Sequence, residues 1–330
     1  MLFKFRNSMN TPPKLGLKES TIHKLIDFVL LNSCSVNSSG LYNGKAGIAW
    51  TLFESARYLQ DEYIEEQAFE LIQEALVSKT NDISFENGLS GIGYVLIYLI
   101  KNDFIDADFD ELFDEQYEKI LSGFEKVKEN PNATLNAIYL NNFLNAVKPY
   151  CPSDKRINEV MKNIFEANEL YLAIQFFGFK DIHYINNKTT VLSKFETYLK
   201  VVYDCGYVDY SRVVLDDYAN LYRSGRMRSS YKAAYYLDKL DKIEKYNDII
   251  TDNKRFTNPN NMRNLSLRSH IELSQLTGNN KFLNLLLTKK EEELEKTIFR
   301  LIPPGTFIAG YEQGLSRLLI YLTNEKTILL

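Results

Sequence analysis

A chain of 330 residues with a formal charge of −4 has room for one or two domains, and so weak a charge excludes a general nucleic-acid or anionic-membrane surface. Hydrophobic and charged fractions of 45% and 25% are those of a globular protein able to bury a large core. With only 15 glycines and 8 prolines against 22 tyrosines and 20 phenylalanines, the composition favours a mostly helical chain.

The stretch Met1 to Ser8 and the Pro12-Pro13 pair contain no apolar segment of signal-peptide length. The longest apolar run, Tyr94 to Ile100, is far too short to cross a membrane. A cytosolic protein is expected, with no membrane insertion and no nucleic-acid partner. Cys34, Cys151 and Cys205 are odd in number and widely spaced, so free thiols are expected rather than a disulfide framework.

The helical period dominates. Ile22, Leu25, Ile26, Val29 and Leu30 predict a first helix over 19–31. Gly40-Leu41-Tyr42-Asn43-Gly44-Lys45-Ala46-Gly47 then leads into an apolar helix over 48–60, followed by an amphipathic helix over 63–78. The same kind of entry returns at Asn87-Gly88-Leu89-Ser90-Gly91-Ile92-Gly93, ahead of Tyr94 to Leu99. A third unit is predicted from Thr134 to Leu140 with a partner over 153–167. Strand-like alternation is scarce, and the stretch from Tyr171 to Tyr184 is the least clear.

A fourth unit starts near Val191 with a partner over 209–222, a fifth near Ser229 to Tyr235, and a sixth at Asn261 to Leu276. The sixth stops at Thr277-Gly278, and a helix restarts over 280–299. A last glycine entry, Gly310-Tyr311-Glu312-Gln313-Gly314, leads into Leu315 to Leu322. These make about seven helical hairpins if the first helix pairs with the last unit. One hairpin cannot cover its own apolar face, and the chain lacks polar capping units, so stacking into a closed ring is expected rather than an open solenoid.

Glycine at a helix start lowers helix propensity by up to about 1 kcal/mol, so its recurrence needs a reason. Close packing of inner helices is the favoured reason. Exposed N–H groups that bind an anion or a peptide carbonyl are the alternative. No strand precedes these glycines, which excludes a dinucleotide or P-loop site.

Gly-Leu-Tyr-Asn-Gly-Lys-Ala-Gly-Ile-Ala at 40–49 and Gly-Leu-Ser-Gly-Ile-Gly at 88–93 resemble the repeat signatures of the lanthionine synthetase C-like proteins. The resemblance implies an all-α fold, an α/α toroid forming a single domain over 1–330, with inner helices ringed by outer ones and a central cavity facing the glycine loops. Enzymes of that family are zinc cyclases that add a peptide cysteine thiol across a dehydrated serine or threonine. Their zinc is held by two cysteines and a histidine in the C-terminal half, and a further histidine serves as acid or base.

This chain departs from that ligand pattern. No cysteine follows Cys205, there is no Cys-His dipeptide, and the only tryptophan is Trp50. By unit order the ligand places fall near Ser224 to Arg228 and Arg263 to Ser266, where arginine and asparagine cannot replace thiolates. No metal and no cofactor are therefore expected. Nothing in the spacing of His23, His183, His270 and Cys205 suggests a rebuilt site.

The polar residues beside the glycine loops are the candidate substrate-binding set: Tyr42, Asn43, Lys45, Glu86, Asn87, Glu312 and Gln313. The plainer role for Asn43 and Asn87 is helix capping. The expected function is a peptide- or partner-binding protein, its partner a peptide or a peptide-modifying enzyme, in maturation of a ribosomally made peptide. Alternatives are a divergent zinc cyclase, or a carbohydrate-active toroid using a carboxylate pair such as Glu86 and Glu312.

Overall fold

The computed structural model describes residues 19–181, 187–228, 230–240, 244–255, 265–278, 283 and 291–324. Among them the regular elements are helical and no strand occurs. The chain divides into two compact units, Met1–Tyr117 with Met262–Leu330, and Glu118–Asn261.

The first unit joins the two ends of the chain. It contains α1 (Glu19–Ser33), α2 (Lys45–Leu59), α3 (Glu62–Leu76), α4 (Leu89–Lys101), α13 (Leu267–Thr277), α14 (Glu291–Leu301) and α15 (Leu315–Thr323). Helix α15 lies against α2, α1 and α13, and α2 lies against α4 and α3. The first helix therefore does pack with the last unit. Phe28 of α1 meets Phe299 of α14 edge-on at 5.1 Å.

Burial separates the helices into two kinds. Every residue of α2 from Ala46 to Ala56 is buried, as is every residue of α15 from Leu315 to Leu322. Such all-round burial marks inner helices. Helix α3 buries only Ile64, Ala68, Leu71, Ile72 and Ala75, the single stripe of an outer helix. Asp61 starts it by accepting hydrogen bonds from the N–H groups of Tyr63 and Ile64.

The second unit contains α6 (Pro131–Asn136), α7 (Leu140–Val147), α8 (Lys155–Gly178), α9 (Lys188–Asp204), α10 (Arg212–Arg223), α11 (Tyr231–Leu240) and α12 (Asn247–Arg255). Helix α9 packs on α7 and α11, while α10 packs on α8 and α12. Alternate helices thus form two rows within the unit, the hairpin arrangement of an α/α fold.

Three expectations need correction. The helix α5 (Phe109–Val127) was not anticipated; it buries Phe109, Phe113, Tyr117, Ile120, Leu121 and Phe124 beneath a strongly charged outer face. The predicted helix from Thr134 is two short helices joined by a 3₁₀ turn over Ala137–Tyr139. Its early start at Pro131 follows from the Asn130 side chain, which caps it. Helix α8 runs on to Gly178, absorbing half of the unclear stretch, because Leu172, Gln175 and Phe176 continue its buried face. The predicted starts at Ser229 and Asn261 and most of the restart over 280–290 lie outside the described residues.

Candidate functional site

The three glycine entries share one backbone solution. The N–H of Lys45 donates to the carbonyl of Ser38 at 2.9 Å, that of Leu89 to Asp82 at 2.8 Å, and that of Leu315 to Ile308 at 2.7 Å. One residue on, the Ala46 N–H reaches Ser39, while the Ser90 and Ser316 hydroxyls reach the carbonyls of Ile83 and Ala309. The loop before each inner helix thus folds back along its first turn.

This geometry decides between the two readings of the glycines. The N–H groups of Lys45, Ala46, Gly47, Leu89 and Leu315, which were candidates for anion binding, already donate to their own loops, which speaks against that reading. The Cβ of an alanine at Gly47 or Gly91 would drive into the carbonyl oxygen of Leu41 or Phe85. Packing is the reason for the glycines. Asn43 and Asn87 are not caps either: Gly44, Gly88 and Gly314 hold the cap positions without side-chain bonds.

The three loops lie side by side, joined through Tyr42. Its N–H donates to the Glu86 carbonyl at 2.8 Å, and its own carbonyl accepts from Tyr311 at 2.7 Å and Glu312 at 2.9 Å. Beneath them Trp50 stacks on the ring of Tyr311 at 5.2 Å. The buried Arg317 clamps the last loop, its Nε donating to the Tyr311 and Glu312 carbonyls while its guanidinium lies 4.5 Å from the Tyr311 ring centre.

Four of the seven candidate residues come together by their side chains or rings. Asn43 Nδ2 donates to Glu312 Oε2 at 3.0 Å, and Gln313 Nε2 reaches Glu312 Oε1 at 3.5 Å. The Tyr42 ring lies beside them under the guanidinium of Arg268, at 5.9 Å. Glu86 joins through its backbone, and Asn87 is exposed with its N–H on Ser84 Oγ at 3.3 Å. Lys45 is drawn away into an ion pair with Glu74 on α3.

Arg268 and Glu272 escaped the sequence reading and complete the group. Arg268 Nε donates to Glu272 Oε1 at 2.8 Å, and its Nη1 lies 3.9 Å from Glu312 Oε1. The two stand four apart on α13, which was the available signal. The arginine and Glu312 side chains remain 22% and 28% exposed, so a ligand can reach them. His270 on the same helix is buried, and burial pushes its imidazole down to about 4, so it is neutral at pH 7.

A second polar group lies farther along the inner helices. The Tyr98 hydroxyl donates to Glu54, a carboxylate only 5% exposed, and Asn324 Nδ2 reaches Glu54 Oε1 at 3.1 Å and the Tyr98 oxygen at 2.9 Å. Burial, helped by the neighbouring Glu54 charge, holds the Tyr98 phenol well above its ordinary range. This group ties α2, α4 and the end of α15 together. Its signal was a lone carboxylate within an otherwise apolar helix.

Among the described residues the donor set does not fit zinc. Among the described residues no three His, Cys, Asp or Glu side chains are grouped to hold a metal ion. Burial pushes the Cys205 thiol up to about 12, its Sγ resting 3.4 Å from the Asn141 carbonyl oxygen, so it is a protonated thiol at neutral pH. His23 is half-exposed beside Glu19, 3.8 Å away. Of the places matched by unit order, Arg226 donates to the Lys180 carbonyl and Met227 is buried. Arg263, Asn264 and His183 lie outside the described residues. All three cysteines are free thiols, and no described helix is long and apolar enough to cross a membrane.

The family model of lanthionine synthetase C-like protein matches residues 19–173. No curated protein matches the chain.

Proposed function

We propose that this chain is a member of the lanthionine synthetase C-like family that works without zinc, as a protein that binds a peptide or a peptide-modifying enzyme during maturation of a ribosomally made peptide. The reading takes 1–330 as a single toroid. Its contact surface is the group of Tyr42, Asn43, Glu312, Gln313 and Arg268, with Lys45, Glu86 and Asn87 at its margin.

The reading is supported by the glycine loops, which hold their own backbone hydrogen bonds, and by the sequence, which has no cysteine after Cys205 and no Cys-His pair to supply the family's thiolates. A thioether cyclase needs a thiolate at neutral pH, and a metal is what lowers the thiol for it. Here the remaining part of the site is a half-open arginine and carboxylate beside a tyrosine ring. That chemistry holds peptide amides and charged side chains by hydrogen bonds and cation–π contact.

Metal analysis of the protein purified without chelator tests the first half of the reading. Far less than one zinc per chain is expected, and stoichiometric zinc would overturn it. Calorimetric titration with a dehydrated precursor peptide tests the second half. Binding that weakens in Arg268→Gln supports it, and no binding in either protein removes peptide as the ligand.

A further inference from the structure

The second unit contains a cavity of about 420 Å³ that no role above uses. Pockets of about 300–1,000 Å³ are the usual size for small organic ligands. This one lies between the α9–α10 connection, the start of α10, the end of α11 and the start of α12.

Its floor is apolar and buried: Val202, Leu215 and Tyr246 are each under 5% exposed. Its walls are tyrosine rings fixed by contacts of their own. Tyr207 stacks on Phe165 at 4.1 Å, with planes 13° apart. The Tyr210 hydroxyl donates to the Leu240 carbonyl at 3.1 Å, and the Tyr246 hydroxyl to Asp216 Oδ1 at 2.9 Å. Flat faces held in place suit a flat apolar body.

The rim is cationic. Arg212, Lys239 and Lys245 line it against a single carboxylate, Asp216. Lys245 is already paired with Asp216 at 2.6 Å. Burial acts to raise the Asp216 carboxyl, but the bonds from Lys245 and Tyr246 outweigh it and keep the group ionised. That leaves Arg212 and Lys239, which among the described residues take part in no ion pair; Lys239 lies 5.5 Å from the Tyr235 ring centre. Both are exposed at the opening.

We infer that this cavity binds an aromatic carboxylate, its ring on the tyrosine walls and its carboxylate on Arg212 and Lys239. An apolar ligand would leave two cations unused at the mouth, and a small inorganic anion would leave the apolar floor wet. Either a free aromatic acid or the C-terminal residue of a peptide presents this chemistry.

Titration of the full chain with N-acetyl-phenylalanine and with its uncharged amide tests the inference. The acid is expected to bind saturably, and the amide about tenfold more weakly or worse, the size of a charge-assisted hydrogen bond. In the double variant Arg212→Gln, Lys239→Gln the acid should fall to the affinity of the amide. Both positions are exposed, so folding is not at risk. A tetrapeptide ending in phenylalanine separates the sources: binding equal to that of the acid identifies a chain end, and loss of binding identifies a free acid. Equal affinity for acid and amide, or an unchanged affinity in the double variant, would overturn the inference.

Discussion

The backbone N–H of Tyr311 donates to the carbonyl of Tyr42 at 2.7 Å, joining the last glycine loop to the first. Residues far apart in the chain thereby become neighbours in one unit, and Glu312 is delivered to Asn43. The candidate site exists only because this junction forms.

The glycines of the entries are required by close approach, and Gly91 tests that directly. An alanine methyl there would collide with the Phe85 carbonyl oxygen, a backbone atom that cannot move alone. Gly91→Ala should lower stability by about 3 kcal/mol, the upper range for overpacking a buried position. Urea denaturation would show it as a lower midpoint. A variant as stable as the parent would mean that the loop is not packed against α4.

His270 should make the protein acid-sensitive in a defined window. Its imidazole is held neutral by burial down to about pH 4, whereas in the unfolded chain it takes a proton near 6.5. Between those values the unfolded state binds a proton that the folded state does not, so stability is complete above pH 6.5 and falls as pH drops towards 4. The loss is about 3 kcal/mol at most, at 1.36 kcal/mol per pH unit. Comparing denaturation midpoints at pH 7 and pH 4.5, His270→Gln should lose less stability than the parent. Identical losses would refute the assignment.

Asn43 and Lys45 are two apart in sequence but serve different structures. Asn43 donates to the Glu312 carboxylate inside the site, so Asn43→Ala should cost about 2 kcal/mol and weaken any ligand held by Glu312. Lys45 forms an exposed pair with Glu74 at the margin of that surface, and Lys45→Ala should change stability by less than about 1 kcal/mol and weaken binding less than Asn43→Ala does. Parallel calorimetry on the two variants separates them, and equal effects on binding would show that the site extends to α2.

The scaffold was legible because its signals are local. Glycine entries, the apolar runs after them and the Gly278 stop sit within a few residues of what they control. Helix α5 went unread because its stripe of Phe109, Phe113, Tyr117 and Phe124 is diluted by acidic and basic neighbours. Within the site, Asn43 and Glu312 could be placed together because each stands one or two residues before the cap glycine of its loop, Gly44 or Gly314. That of Arg268 with both Glu272 and Glu312 could not, since it depends on how α13 packs against α15. The Glu54, Tyr98 and Asn324 group is harder still, for it links three helices through single side chains. Residue type alone marks Asn43 and Asn87 as caps, whereas the loops provide their own carbonyls.

The central claim is the proposed one, that this helical scaffold works without the thiolate-metal chemistry of the zinc cyclases. Its most direct test is to incubate the purified protein, with added zinc, with a dehydrated peptide carrying free cysteines, then to count the thiols by alkylation and mass spectrometry. Every thiol should remain open to alkylation. Loss of alkylatable thiols at the rate of enzyme turnover, with no change in peptide mass, would show thioether formation and contradict the account.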